Sequence, residues 1–362
     1  MGYVNAALKY QIVKNYIVDL IDGNQLSTGE RIPSEPELSK KLGVSVITVQ
    51  RALFELVNED RIYRVKGKGS FVAEHSSDSG GRKTTDNSMI GFIMSAKQGT
   101  QDGSFMSMIR GIQACLGKHG YSLIIEHSNE CMDTEKKIIN RLIDEGISGI
   151  VYFSVDPDKN IPVLKRLREK KIPFVLIDRY AKSYPANCVV SDNFGSIYNI
   201  VEYLYSLGHR KIAFITHKPQ LSSETDRLDG YRRAMESAGL AAYEDMVFNI
   251  RQIDDGRLVS MVKNKEITAL IAVNDIVAIE AMKICERNNI AIPGDISITG
   301  FDNIEQAAYQ KVPLNSIKQY FDMMGSEAAK TLMKIIKSPE TACRKIELPT
   351  KTVLRKSVSS VE

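Results

Sequence analysis

The chain has no tryptophan, and only five cysteines and five histidines among 362 residues. Without tryptophan, indole fluorescence cannot report on it. Cys115, Cys131, Cys188, Cys285 and Cys343 are scattered, and no two have C-x-x-C spacing. No histidine stands near one in a zinc-finger pattern. Free, mostly buried thiols are therefore expected, with no disulfide framework. No histidine pair has H-x-x-x-H spacing, so no metal site is expected. Neither G-x-G-x-x-G nor G-x-x-x-x-G-K-[ST] follows a strand-like run, and no nucleophile–base pair stands out. A nucleotide cofactor and an enzymatic role are not expected. No apolar run approaches the ~18–20 residues of a membrane helix. Residues 1–22 lack the basic start, apolar stretch and cleavage site of a signal peptide. The expectation is a cytoplasmic protein with no membrane partner.

What remains is the composition of a folded chain of two or three domains, 43% hydrophobic and 25% charged. The net charge of +4 is modest, but it is unevenly placed. Between positions 40 and 68 stand seven bases (Lys40, Lys41, Arg51, Arg61, Arg64, Lys66, Lys68) against three acids (Glu55, Glu59, Asp60). Such a run suits a nucleic acid, or an ordinary solvated face.

Residues 8–22 carry Ile12, Tyr16 and Leu20, with Val13, Ile17 and Ile21, at helical spacing, and Gly23 ends the pattern. Ser34 and Glu37 have the S-x-x-E spacing of a capping box, and Pro36 is tolerated in a first turn. A short helix to about Leu42 follows, broken by Gly43. Ser45 suits the cap of a third helix that buries Val49, Ala52, Leu53 and Leu56. Val46, Ile47, Gln50 and Arg51 point outward. Residues 61–65 and 70–72 read as strands around a Lys66-Gly67-Lys68-Gly69 turn. Two short helices and a basic hairpin suit a winged helix-turn-helix. Its second helix would enter the major groove and its hairpin tip meet a minor groove or phosphates.

These residues resemble the GntR family of bacterial regulators over about 10–73. The likeness rests on Arg31-Ile32-Pro33-Ser34-Glu35-Pro36-Glu37-Leu38, on Gly43-Val44-Ser45 through Ala52-Leu53, and on Gly67-Lys68-Gly69-Ser70-Phe71-Val72. It implies double-stranded operator DNA as a partner. The contacts would come from Ser34, Ser45, Val46, Ile47, Thr48, Gln50 and Arg51, with Lys66, Gly67 and Lys68 on the wing. Members often carry a basic residue where this chain has Pro36, and arginine where it has Val46 and Gln50. The usual base preference therefore does not transfer. Gln50 suits adenine, and Val46 or Ile47 suits a thymine methyl. Helix packing or a dimer contact would use Val46 and Ile47 equally well.

Residues 75–88 are rich in Ser, Gly, Thr and Asp and read as a flexible linker between a head over 5–74 and a larger domain over 89–362. From Met89 onward, β-branched runs (90–95, 122–126, 149–154, 174–178, 211–216, 269–273, 296–300) alternate with helical segments (106–118, 134–145, 196–207, 276–289). That alternation implies parallel sheets, whose ligands bind beyond the carboxyl ends of the strands. Those ends carry Asp178-Arg179, Asp192-Asn193, Asn274-Asp275 and Asp302-Asn303, and Arg227 opens a helix nearby. Carboxylates, amides and a guanidinium together serve several hydroxyls, as a sugar presents. Each residue taken alone also suits a helix cap or a turn.

This region resembles the LacI/GalR effector domain, with its type I periplasmic-binding-protein-like fold of two parallel-sheet lobes, over about 89–355. The motifs are Phe174-Val175-Leu176-Ile177-Asp178-Arg179, Leu207-Gly208-His209-Arg210-Lys211-Ile212-Ala213-Phe214, Arg227-Leu228-Asp229-Gly230-Tyr231, Val273-Asn274-Asp275, Ile292-Pro293-Gly294-Asp295-Ile296-Ser297-Ile298-Thr299-Gly300-Phe301-Asp302 and Ser316-Ile317-Lys318-Gln319. The resemblance implies that Arg227, Asn274 and Asp302 hydrogen-bond a sugar effector, with Asp178, Asp192 and Gln319 close by. Phe105 or Phe321 would form the apolar wall, and His209 is structural.

Members of that family normally carry a different small head and a hinge helix. The combination here is similar to the arabinose-repressor type of chimera. It implies a homodimer on a pseudo-palindromic operator, usually a repressor, switched by a small carbohydrate. A sugar-binding protein or carbohydrate enzyme without DNA binding is the rival reading.

Overall fold

A computed structural model describes residues 2–23, 25–58, 61–65, 69–72, 89–96, 103–216, 221–240, 246–250, 255–339 and 342–361. Two units separate by their internal contacts, Met1–Thr85 and Asp86–Glu362. The expected linker at 75–88 lies outside the described residues.

The smaller unit has three helices, α1 (Gly2–Asp22), α2 (Glu35–Leu42) and α3 (Val46–Asn58), and a hairpin of β1 (Ile62–Val65) and β2 (Gly69–Val72). Val13 and Ile17 of α1 pack with Leu38 of α2, and with Val49, Ala52, Leu53 and Leu56 of α3. That i, i+3, i+4, i+7 stripe on α3 is why a short sequence holds its helix against a core. Ile12, placed by periodicity on the apolar face, is instead 52% exposed. Gly43 ends α2 in the left-handed region at φ 63°, and its N–H donates to Ser39 O. Glu37 accepts both the N–H and the hydroxyl of Ser34, each at 2.8 Å. These bonds hold the Glu37 carboxyl below its ordinary value. The hairpin is antiparallel with Ile62 opposite Val72, which puts both on the core side.

In the larger unit the chain alternates as its pattern predicts. It runs β3 (Met89–Met94), α4 (Gly103–Leu116), β4 (Ser122–His127), α5 (Met132–Asp144), β5 (Gly149–Phe153), α6 (Ile161–Glu169), β6 (Phe174–Ile177) and β7 (Cys188–Ser191). Next come α7 (Asn193–Ser206), β8 (Ile212–Thr216), α8 (Ser222–Ser237), β9 (Val247–Asn249), α9 (Asp255–Lys263), β10 (Ala269–Ala272), α10 (Asp275–Arg287) and β11 (Ser297–Thr299). The chain closes with α11 (Glu305–Ala308), β12 (Ser316–Lys318), α12 (Phe321–Lys337), β13 (Lys345–Leu348) and β14 (Lys351–Val353).

Two parallel sheets form, one ordered β13-β7-β6-β5-β3-β4 and one ordered β11-β10-β8-β9. We refer to them as lobe I and lobe II. Strands β5, β6, β7, β8 and β10 are buried along their whole length, as covering helices on both faces require. Separate apolar clusters pack on the two faces of the lobe I sheet, and a third fills lobe II. The chain passes between the lobes after β7, after β12 and after β13, so the two sheets are joined by several strands of backbone. Cys115, Cys188 and Cys285 are buried, and Cys131 and Cys343 exposed. No described helix is long and apolar enough to cross a membrane.

Candidate functional site

The carboxyl ends of the strands collect the polar residues singled out above. The centre is Arg227, on the second turn of α8 and only 5% exposed. Its Nε donates to Asn193 Oδ1 and its Nη1 to Val273 O, both at 2.8 Å. The guanidinium lies over the Phe301 ring, 3.7 Å from the centroid. Its Nη2 stands 3.6 Å from Asp302 Oδ1. Gln319 Nε2 donates to that same carboxylate oxygen at 2.7 Å. A charged pair packed on a ring and largely removed from water is costly to desolvate. Burial pushes the Asp302 carboxyl up to about 7, against the pull of Arg227.

Four buried oxygens at these strand ends have no hydrogen-bond partner among the described residues: Gln319 Oε1, Thr216 Oγ1 at the end of β8, Ser191 Oγ at the end of β7 and Thr299 Oγ1 at the end of β11. An unpaired buried acceptor is costly unless a ligand completes it.

On the lobe I rim, Asp178 leaves β6 at φ 66°. Arg179 Nη1 donates to Ser154 O and Val155 O, each at 3.1 Å, and its guanidinium lies 4.6 Å from the Phe153 centroid. Phe105 packs against the same Phe153 ring at 5.4 Å. Phe321 begins α12 and lines a groove of about 1000 Å³, with Ser107, Arg110, Ile279, Lys283 and Asn303.

Asn274 and Asp192 play a different part. Asn274 Oδ1 accepts from Val277 N at 3.0 Å and caps α10. Asp192 Oδ1 accepts from Gly195 N at 2.8 Å and caps α7. Both stand at strand ends, yet these oxygens are spent on helix caps. His209 is buried between Thr268 Oγ1 and Ser359 O, and burial lowers its pKa.

Sequence reasoning gave no site role to four neighbours, of which Glu224 went unnoticed. Asn193 holds Arg227 in place. Phe301 is the platform beneath it. Glu224 sits one helical turn before Arg227, and burial raises its carboxyl against Arg227 and Arg179. The i, i+3 spacing of Glu224 and Arg227 was a usable signal. Asp275, noted only as part of a strand-end pair, is wholly buried. It accepts from Ile304 N at 2.9 Å and Ser316 Oγ at 2.6 Å, which bolts the loop carrying Asp302 to α10. Burial pushes it up to about 6.

In the smaller unit, Ser45 Oγ bonds Thr48 N at 3.2 Å and meets Thr48 Oγ1 at 2.8 Å, so both residues serve the start of α3. Val46 is 41% exposed there. Gln50 is exposed, and its Nε2 donates to Glu35 Oε2 at 2.8 Å. Ser34 is engaged by Glu37, as above. The side chains of Ile47 and Arg51, and all of Lys66, Gly67 and Lys68, lie outside the described residues. Among the described residues no group of three or more His, Cys, Asp or Glu is placed to hold a metal ion.

Residues 9–72 match the family of bacterial regulatory proteins called gntR, and residues 201–358 match a periplasmic binding protein-like domain. The chain is 27% identical over 339 residues to an arabinose metabolism transcriptional repressor of Geobacillus stearothermophilus, covering 91% of each chain. A protein of the same name from Halalkalibacterium halodurans is 26% identical, over 91% of this chain and 89% of that one. Among solved structures, a LacI family transcriptional regulator of Enterococcus faecium with bound ribose superposes with a TM-score of 0.62. Identity there is 23%, over 76% of this chain and all of that one.

Proposed function

We propose, because the chain joins a gntR-type regulatory head to a LacI-type periplasmic-binding-protein-like domain, that it is a sugar-responsive transcription regulator acting as a repressor. The observation that carries the sensing half is the Arg227–Asp302–Gln319 knot, with its buried, unpartnered Gln319 oxygen at the strand ends. A hydroxyl donates to such an oxygen and accepts from a guanidinium, which a free sugar does at several positions. The effector set is Arg179, Asp178, Arg227, Asp302 and Gln319, with Phe105 or Phe321 as the apolar wall. Asn274 and Asp192 take part through the helices they cap. A pentose leads the candidates, since the named relatives concern arabinose and one similar structure holds ribose.

On the DNA side the head spans 5–74, the linker 75–88 and the sensing domain 89–362. Val46, Ile47, Thr48, Gln50 and Arg51 present α3 to the major groove, Ser34 and Ser45 hold its approach, and Lys66, Gly67 and Lys68 reach from the wing. The homodimer forms through the larger domain. Ile276 (62% exposed), Tyr309 (78%) and Met106 (58%) are large apolar residues exposed on that domain, and a partner copy would cover them. The protein works in the cytoplasm, on the nucleoid when bound to DNA.

A thermal-shift screen over L-arabinose, D-ribose and common hexoses tests the sensing half. A sugar at ~100 times its Kd adds about 2.7 kcal/mol, and so raises the midpoint of a unit this size by roughly 5–10 °C. Arg227→Gln should weaken that sugar about 100-fold, since a charged donor is lost from a buried set. Gel shifts against the DNA upstream of the chain's own gene test the other half. Linkage requires operator and sugar to change each other's affinity by the same factor. A protein that shifts with no sugar and retards no DNA at any salt is not this regulator.

A further inference from the structure

Glu135, in the first turn of α5, has no measurable exposure, although an acid at that place normally faces solvent. Its carboxylate accepts from Tyr152 Oη at 2.7 Å, Val155 N at 2.7 Å, Ser154 Oγ at 3.2 Å and Asn160 Nδ2 at 2.5 Å. Ser128 Oγ stands at 3.5 Å. These donors come from the ends of β4 and β5 and from the residue that starts α6, all on the carboxyl rim of lobe I. A purely structural role would be served as well by an apolar cluster replacing the acid and its donors together, because a buried charge with its partners seldom adds net stability.

The reason for a carboxylate lies on the other side of the turn. Val155 gives its N–H to Glu135 and its C=O to Arg179, and Ser154 gives its hydroxyl to Glu135 and its C=O to Arg179. Glu135 and Arg179 therefore grip the same two residues, Glu135 through their donors and Arg179 through their carbonyls. Beyond these carbonyls the guanidinium meets the Phe153 ring at 4.6 Å and Asp178 Oδ2 at 3.6 Å from Nε, and it attracts the carboxylates of Glu224 and Glu135. We propose that Glu135 is a positioning residue for effector recognition: it sets the Ser154–Val155 turn, and that turn aims Arg179 at the effector. The inference rests on the reading of Arg179 as an effector contact. It adds that the residue fixing its aim is wholly buried and touches no ligand.

The test uses the full chain and begins without ligand. Crystal structures of the ligand-free wild type, Glu135→Gln and the milder Tyr152→Phe are compared. Glutamine cannot accept from all of these donors, so the turn should relax and the Arg179 guanidinium move by more than about 1 Å. Tyr152→Phe removes one donor, keeps the carboxylate, and should move it less in the same direction. It decides the matter should Glu135→Gln not fold. Arg179 unmoved in the variants overturns the proposal.

The second arm is a double-mutant cycle on L-arabinose and D-ribose affinity. Glu135→Gln should weaken binding about tenfold in the wild type and less than about twofold in an Arg179→Gln background. Additive losses, or full affinity in Glu135→Gln, also overturn it. A wild type that binds no sugar defeats the sensing function instead, while the ligand-free structures still decide whether Glu135 holds Arg179.

Discussion

Replacing Gly325 by alanine is expected to destabilise the larger unit by about 3 kcal/mol, the upper part of the range for overpacking a tight core. A Cβ at Gly325 on α12 would stand 2.2 Å from Met108 O on α4, and one at Gly111 on α4 would stand 2.0 Å from Asp322 O. Each helix presents a glycine to the backbone of the other. Backbone cannot move aside as a side-chain end does, so the helices must separate. For a unit of this size, the midpoint of thermal unfolding should fall by roughly 6–10 °C. Gly111→Ala should behave alike. The double variant should lose less than the sum, since one separation relieves both contacts. A control is Gly117→Ala, where an added Cβ meets nothing within 4 Å; it should change stability by less than about 0.5 kcal/mol. A Gly325→Ala protein that melts with the wild type would refute the close crossing. The consequence reaches function, because Phe105 near the start of α4 and Phe321 at the start of α12 are candidate walls of the effector site.

Asp302→Asn is expected to stabilise the ligand-free protein above pH 7 relative to the wild type, and to lose that advantage near pH 5. The Asp302 carboxyl is pushed from 3.8 up to about 7 by burial. Between those values the folded chain holds a proton that the unfolded chain has released. Stability therefore falls as pH rises through that window and is lowest from this group above pH 7. A displacement of that size corresponds to about 4 kcal/mol between the two charge states. Asparagine also leaves Arg227 without its carboxylate, so a net gain of about 2 kcal/mol at pH 8 over pH 5 is the expected result. Asp275, pushed up to about 6, slopes the same way in both proteins; its charge helps to raise Asp302, so removing Asp302 also eases Asp275 and adds to the difference with the same sign. Denaturant titrations of both proteins at the two pH values measure it. Equal differences at pH 5 and pH 8 would mean that Asp302 is not held at this expense. The same substitution should weaken sugar binding at least tenfold, which would identify Asp302 as a residue retained for recognition despite its cost in stability.

Much of the architecture was legible because it is local. The Ser34–Glu37 spacing, Gly43, the α3 stripe and the alternation of buried strands with helices each follow from periodicity within a dozen residues. Strand ends are also visible locally, which is why Arg227, Asp302 and Arg179 stood out before any coordinates, while Gln319 entered through the LacI/GalR resemblance. Which of those groups remain free for a ligand was not visible. Asn274 and Asp192 carry the right chemistry but give an oxygen to their own helices, and only backbone geometry shows that.

The two-part organisation, a basic winged head before a parallel α/β domain with polar strand ends, follows from the order of residues alone, because charge, capping and hydrophobic period are near-neighbour properties. The close crossing at Gly111 and Gly325, the bolt at Asp275 and the burial of Glu135 come from elements far apart in the chain. Glu135 reads as an ordinary acid at a helix start until the end of β5 covers it. Contacts between segments distant in sequence leave no period to read, and they settle which charges are buried and which face a ligand.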